Sequence, residues 1–466
     1  MKRLLMLLLT LMLVTGCSDD GADTPSTTST PDTTSVDSTP TTTPPTSAGP
    51  GTTVGEEAPL DTRLAWLAEV FNSGALEESE YQATFTQEFI DAVPYTDYLP
   101  IVQQISAAGR DWSVGDFESR DRNEATVLLD SADGQSVRAI ITLEGEVPHR
   151  IAGLLLQPGE PPTLEDPPRD LDSAIARLEE LASLELAVME IEGGQCEPTV
   201  TAGSGEPAPV ASAIKLYVLA AVAGAVEAGE FDWDTDVTIS EDLKSIPTGV
   251  LQNEEEGATF SVREVAETMI AFSDNTGTDH LIDLVGRQAV EQAMADHGME
   301  DPARNIPFLT TMELTALKLG PAAGLATQWL DADEEGRRAI LEQISDITPA
   351  DIPLAEFDRP IHPDTIEWFA TPADMCRVLV DLWEMGEPVT QILTINPGLP
   401  DEEGNFESIA FKGGSEPGLV AMNWLVERTD GRRFVISGSL LDPEQPLDEL
   451  EATLLFGAVR DLVADL

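Results

Sequence analysis

The most constraining feature of the sequence is the tetrad Ser212-Ala213-Ile214-Lys215, which stands at the start of its most apolar helix-like run. Positions i and i+3 of a helix are neighbours on one face, so this spacing brings the Lys215 amine beside the Ser212 hydroxyl. A serine hydroxyl is a weak nucleophile until a base within hydrogen-bond reach takes its proton. Burial and a second nearby cation would lower the pKa of Lys215 toward about 7 or 8 and leave the amine neutral. The tetrad therefore predicts an activated serine.

Lysine is scarce in this chain, so each lysine is a candidate for a specific structural or catalytic role. The lysines are Lys2, Lys215, Lys244, Lys318 and Lys412. Lys412 opens a second short motif, Lys412-Gly413-Gly414, which runs into a predicted hairpin. Its charge makes Lys412 the candidate for the second cation near Lys215.

Three motifs occur in a fixed order: Ser212-x-x-Lys215, then Ser273-Asp274-Asn275, then Lys412-Gly413-Gly414. This ordered set is the signature of class A β-lactamases and penicillin-binding proteins. The segments 257–262 and 271–276 strengthen the match. From about Leu171 to its C-terminus, the chain resembles the serine β-lactamase and penicillin-binding-protein superfamily.

The resemblance implies a role for each motif residue. Ser212 is the expected nucleophile and Lys215 its base. Ser273 is expected to relay a proton to the leaving group, while the Asn275 amide faces Lys215 and the substrate, and Asp274 shapes the turn. Lys412 would supply positive charge, and Gly414 and Ser415 would contact substrate. The oxyanion hole maps onto the backbone N–H groups of Ser212 and Ser415, where loss of one donor costs about 3 kcal/mol of transition-state stabilisation.

The sequence also departs from the family pattern. Gly413 occupies the place of a usual hydroxyl residue, for which Ser415 is a candidate replacement. The Glu and Asn pair that frees the acyl-enzyme in class A enzymes is missing, since no Asn between the second and third motifs has a Glu four residues before it. Glu356 is a candidate for that role. The alternative is that Glu356 is one more solvated acid in a very acidic protein. The interval between these motifs is also long, so efficient β-lactam hydrolysis is not expected.

The N-terminal segment has the zones of an export signal. Residues 1–17 run from Met1-Lys2-Arg3 through an apolar stretch to Thr15-Gly16-Cys17. The small residues before Cys17 resemble a lipobox, which implies cleavage before Cys17 and a lipid on its sulfur, so that the protein would be a membrane lipoprotein facing outward. A secretory signal with an accidental Cys is the alternative. Residues 18–57 are mostly Thr, Ser, Pro, Asp and Gly, which predicts a disordered tether.

Two folded α+β domains are predicted after the tether. Residues 58–160 read as helices followed by alternating strands, a pattern that resembles the NTF2-like fold. Because no constellation of polar residues marks a pocket, this domain is expected to dock a partner or to act as a spacer, rather than to carry a second active site. Residues 169–466 predict a β-lactamase/transpeptidase-like domain, in which an antiparallel sheet with flanking helices carries an inserted helical lobe.

The charge and composition of the chain limit which partners and cofactors it is expected to bind. With 85 acidic and 25 basic residues, the chain is a poor partner for nucleic acid. The four histidines show no metal-ligand spacing, so we expect no metal and no cofactor. Export would permit a disulfide between Cys196 and Cys376, but two separate core residues are the favoured interpretation.

The sequence thus predicts an exported, lipid-anchored serine hydrolase that forms an acyl-enzyme on Ser212 with a small ester, an amide or, slowly, a β-lactam. One alternative is a D-alanyl-D-alanine carboxypeptidase that acts on a peptidoglycan peptide. Another is an idle binding lipoprotein that kept the fold and holds an envelope partner. The non-catalytic alternative is disfavoured because the chain retains all four candidate catalytic residues, Ser212, Lys215, Ser273 and Lys412.

Overall fold

The computed structural model describes residues 59–132, 135–145, 147–159, 163–164, 166–401 and 404–466. The predicted signal, Cys17 and the tether 18–57 lie outside these residues. Two compact units divide the chain, Met1–Pro162 and Thr163–Leu466. None of the described helices is both long and apolar enough to span a membrane.

The first unit places four helices before a four-stranded antiparallel meander in the order β1-β2-β3-β4. Strand β2 alternates buried and half-exposed residues, as expected for a sheet with one face on a core. Val127, Leu129 and Ile141 are fully buried in that core together with Leu64 and Phe71 of α1. Its likeness to the NTF2-like fold stays a prediction. The elements are α1 (Pro59–Ser73), α2 (Glu78–Thr84), α3 (Gln87–Ala92), α4 (Tyr95–Ala108), β1 (Ser113–Arg120), β2 (Glu124–Asp130), β3 (Ser136–Leu143) and β4 (Ile151–Pro158).

The second unit begins with a helix and a hairpin and continues into a mostly helical lobe. The first part comprises α5 (Leu171–Leu181), β5 (Ser183–Glu192), β6 (Gln195–Ala202), β7 (Ala208–Pro209) and α6 (Lys215–Glu227). The lobe comprises β8 (Asp236–Thr238), β9 (Thr259–Ser261), α7 (Val262–Ala271), α8 (Asn275–Val285), α9 (Arg287–Asp296), α10 (Thr311–Lys318), α11 (Ala326–Asp331) and α12 (Glu334–Ile344).

The chain then returns to the sheet. The closing elements are β10 (Phe369–Ala370), α13 (Pro372–Glu384), α14 (Val389–Thr394), β11 (Phe406–Phe411), β12 (Gly414–Glu416), β13 (Leu419–Arg428), β14 (Arg433–Leu441) and α15 (Glu449–Leu462). The main sheet runs β11-β13-β14-β5-β6, with β12 paired to β13, and every pairing in it is antiparallel. The predicted α+β fold class is confirmed.

The sheet separates two hydrophobic cores. Val188 of β5 and Trp424 of β13 face one core, where α5 and α15 pack. Their neighbours Met189 and Leu425 face the other core, which is built around α6. Because successive strand residues point to opposite faces, the apolar runs of β5, β13 and β14 can fill both cores. Helix α6 is buried on nearly all sides, which explains its uniformly apolar sequence.

Cys196 and Cys376 form a disulfide, so the expectation of two separate core cysteines is wrong. Cys196 lies on β6 and Cys376 on α13, with their Cα atoms 6.4 Å apart. Helix α13 packs across β5 and β6, which brings together residues that are 180 positions apart in the chain. A bond that closes so long a loop is expected to stabilise the domain by about 2–5 kcal/mol.

Candidate active site

Ser212 lies in a short 3₁₀ turn, Ala211–Ile214, that leads directly into α6. The residue before it, Ala211, has a φ of +45°. A left-handed conformation costs a non-glycine residue about 1–3 kcal/mol, and such residues cluster at functional sites. Two contacts hold this turn in place: Val210 N donates to Trp368 O at 2.9 Å, and β7 pairs with β10. The segment that leads into the predicted nucleophile is therefore fixed by main-chain contacts.

Lys215 is fully buried at the first turn of α6. Its Nζ donates to Ser273 O at 2.7 Å, to Ser273 Oγ at 3.1 Å and to Asn275 Oδ1 at 2.6 Å. These three acceptors take all the donors of an ammonium group. Among the described residues, no hydrogen bond joins Lys215 to Ser212, so the contact that the tetrad predicts is not made. Catalytic hydrogen bonds often tighten only when substrate is bound.

The predicted lowering of the Lys215 pKa is present. Burial lowers it to about 7, while the charges of Asp274 and Asp279 oppose the shift. We expected the charge of Lys412 to help lower the pKa of Lys215. Instead, burial and then the charge of Lys215 lower the pKa of Lys412. Near neutral pH, a large fraction of Lys215 is therefore a neutral amine with a lone pair for a proton.

Lys412 and Lys215 meet on one hydroxyl group. Lys412 Nζ donates to Ser273 Oγ at 3.1 Å, the same distance as that from Lys215. Two ammonium ions on one hydroxyl repel each other, so a shared proton is favoured over two charges. Ser273 has a φ of +55°, a second strained non-glycine residue in the site. The arrangement forms a chain Lys215–Ser273–Lys412 along which a proton can move.

The rest of the second motif holds this chain in place. Asp274 caps α8 by accepting from Gly277 N at 2.7 Å, and it also accepts from Val250 N and Leu251 N. It shapes the turn, as predicted. Asn275 accepts from Lys215 and donates to Ile246 O at 2.8 Å, so its amide orientation is fixed from both ends.

The third motif brings β12 against the Ser212 turn. A Cβ atom on Gly414 would lie 2.5 Å from Ser212 N and 2.6 Å from Val210 O, so only glycine allows this approach. A side chain on Gly413 would meet the ring of Phe411 at 2.7 Å, which explains the missing hydroxyl residue there. Ser415, the candidate replacement for that hydroxyl, lines the same cleft as Ser212.

Ser212, Asn275 and Ser415 line one cleft. Its apolar walls are Pro247, Leu314, Leu319, Phe357 and Trp368. Three charged residues that the sequence did not single out as functional also line it, namely Lys318, Glu367 and Glu416. The scarcity of lysine was the one signal that pointed to Lys318. Among the described residues, no group of three His, Cys, Asp or Glu side chains is placed to hold a metal ion.

Glu356, the candidate for deacylation, lies elsewhere. It ends the 3₁₀ turn Leu354–Glu356 with an exposed side chain and does not line the cleft. Its position fits the alternative of a solvated acid.

Comparison with known proteins identifies a family for the second unit. The sequence model of the beta-lactamase enzyme family matches residues 170–437, more than half of the chain. Similar solved structures include a beta-lactamase from Sphaerobacter thermophilus DSM 20745, with 22% identity and a TM-score of 0.45 over 63% of this chain and 94% of that chain. PBP-A has 21% identity and a TM-score of 0.39 over 64% of this chain and 97% of that chain. An ancestral class A beta-lactamase has 19% identity and a TM-score of 0.44 over 64% and 99%. No curated protein matches the chain.

Proposed function

Because the chain belongs to the beta-lactamase enzyme family, we propose that this serine hydrolase is an exported, lipid-anchored enzyme that forms its acyl-enzyme on Ser212. The observation that carries the assignment to Ser212 is the buried chain Lys215–Ser273–Lys412 beside the cleft that Ser212 lines. A base, a proton relay and a serine held on a fixed turn are the parts that acyl transfer needs.

In acylation, the Ser212 oxygen bonds to the acyl carbon while its proton passes to the neutral Lys215 amine. The oxyanion that develops is held by the N–H groups of Ser212 and Ser415, and the close approach of Gly414 keeps these two segments together. The proton then moves through the Ser273 hydroxyl to the leaving group, which departs as an alcohol or an amine. The acyl group remains on Ser212 as an ester.

The lining of the cleft favours a small neutral acyl substrate. Its walls are largely apolar, and its charged side chains are Lys318, Glu367 and Glu416, which pair with one another. No arginine lines it in the described part of the chain, and Gly413 offers no hydroxyl to a substrate carboxylate. Esters should therefore be better substrates than peptides ending in D-alanyl-D-alanine, and β-lactams should turn over slowly.

A substrate panel tests this proposal on the purified chain without residues 1–17. We expect hydrolysis of short acyl 4-nitrophenyl esters, slow opening of penicillin G and no release of D-alanine from a peptide that ends in D-alanyl-D-alanine. D-alanine release faster than ester hydrolysis would replace the esterase with a carboxypeptidase. No turnover of any member would favour the binding lipoprotein.

Export and lipid attachment rest on the sequence of residues 1–17 and gain support from the Cys196–Cys376 disulfide, since such bonds persist in oxidising compartments. In bacteria fed radiolabelled palmitate, we expect label on the full chain and its recovery with membranes. The Cys17→Ser variant should carry no label. Equal labelling of the two proteins would contradict an anchor at Cys17.

A further inference from the structure

Three charged side chains form a buried cluster on one wall of the cleft. Lys318 ends α10, Glu367 precedes β10, and Glu416 ends β12. Lys318 Nζ lies 2.8 Å from Glu367 Oε2 and 2.6 Å from both carboxylate oxygens of Glu416. The side chains are 1%, 1% and 6% exposed. Burial of charge at this level is costly, and the close pairing of Lys318 with both carboxylates offsets part of that cost.

The cluster adjoins the acylation machinery. Both carboxylates line the same cleft as Ser212. Glu416 directly follows Ser415, one of the predicted oxyanion donors, and Glu367 directly precedes Trp368, whose carbonyl accepts from Val210 in the Ser212 turn. Glu416 thus ends strand β12, and Glu367 lies in the segment that leads into β10.

Two carboxylates against one ammonium leave one negative charge in excess. The charged groups that face Glu416 are Lys318 from α10 and Glu367 from the segment before β10. Burial, and then the charge and hydrogen bond of Glu367, raise the pKa of Glu416 to about 8, although Lys318 opposes the shift. The protonated form of Glu416 is therefore favoured near neutral pH, and its carboxylate forms as the pH rises through about 8.

We propose that Glu416, with Glu367 as its neighbouring carboxylate and Lys318 as the counter-ion of both, accepts the proton of the water that hydrolyses the acyl group on Ser212. The inference rests on the proposed function. It assigns a base to the second half-reaction, deacylation, for which the sequence offered only Glu356. Lys318 is a positioning residue, because it acts by holding the two carboxylates.

The atoms of this step balance. The water oxygen bonds to the acyl carbon as one of its protons passes to the Glu416 carboxylate. The tetrahedral intermediate then collapses, the bond between the acyl carbon and the Ser212 oxygen breaks, and that oxygen takes the proton back from Glu416. A carboxylic acid leaves, and Ser212 and Glu416 return to their starting forms.

The test separates the two half-reactions. The enzyme is acylated with 4-nitrophenyl acetate, freed of excess ester and followed by mass spectrometry for loss of the acetyl group. In Glu416→Gln, which keeps the shape of the side chain, we expect the adduct to form at a rate within about threefold of wild type and to persist about 100-fold longer. Glu367→Gln should also prolong the adduct, and Glu356→Gln is the matched control that leaves its lifetime unchanged. Wild-type deacylation should rise with pH through about 8 as Glu416 ionises.

Each other outcome overturns the inference in a recognisable way. Loss of the adduct at the wild-type rate in both Glu416→Gln and Glu367→Gln would exclude the cluster from deacylation. An equal fall in acylation and deacylation would mean that the cluster only maintains the shape of the site. Absence of any adduct on wild-type Ser212 would overturn the proposed function itself, and the inference with it.

Discussion

The Ser212→Ala variant should lose nearly all hydrolysis, with kcat falling by about a millionfold. The substitution removes the only atom that can form the covalent bond to the acyl group in this account. It should leave the fold intact, because Ser212 is only partly buried and its turn is held by main-chain contacts. Initial rates with a 4-nitrophenyl ester, together with the thermal unfolding midpoint, measure both effects.

Ser119→Ala serves as the matched control, since Ser119 is an exposed serine on β1 in the other unit of the chain. Its activity should equal that of wild type. Retention of more than a thousandth of wild-type activity by purified Ser212→Ala would show that another residue carries the reaction.

Substitution of Lys215 by Met should lower the acylation rate by about 100- to 10,000-fold, the range for loss of a general base. Methionine fills the apolar space around α6 but cannot take a proton. In the wild type, the neutral amine forms above its pKa of about 7, so acylation should rise with pH through about 7 and then level off. This limb of the pH profile should vanish in Lys215→Met. Single-turnover rates between pH 5.5 and pH 9 measure it.

Lys244→Met is the control for this experiment. Lys244 pairs with Glu241 and donates to Glu254 O, and it does not line the cleft. Its variant should keep the wild-type rate and the limb near pH 7. If the residual activity of Lys215→Met still rose through pH 7, the limb would belong to another group and Lys215 would not be the base.

The sequence was most informative where function constrains short segments. The three motifs named Lys215, Ser273, Asn275 and Lys412, and the structure joins these four side chains by hydrogen bonds. The apolar run after the tetrad forms the buried helix α6, and the hairpin predicted after Lys412-Gly413-Gly414 is the β12–β13 pair. These features depend on local spacing, which a single sequence records.

Features that depend on packing between distant segments could not be predicted. The Lys318–Glu367–Glu416 cluster joins α10, the segment before β10 and β12, and in an acidic chain no spacing marks these two glutamates. The Cys196–Cys376 bond depends on how α13 crosses the sheet. The clash that excludes a side chain at Gly414 arises from the approach of β12 to the Ser212 turn.

The central claim is that an acyl group is transferred to Ser212, and peptide-level mass spectrometry tests it most directly. The chain is treated in parallel with a fluorophosphonate, penicillin G and a 4-nitrophenyl ester, then quenched in acid and digested. We expect an adduct of the corresponding mass on the peptide that contains Ser212, with none in Ser212→Ala. An adduct on a different residue, or ester hydrolysis with unmodified Ser212 at every quench time, would contradict the account.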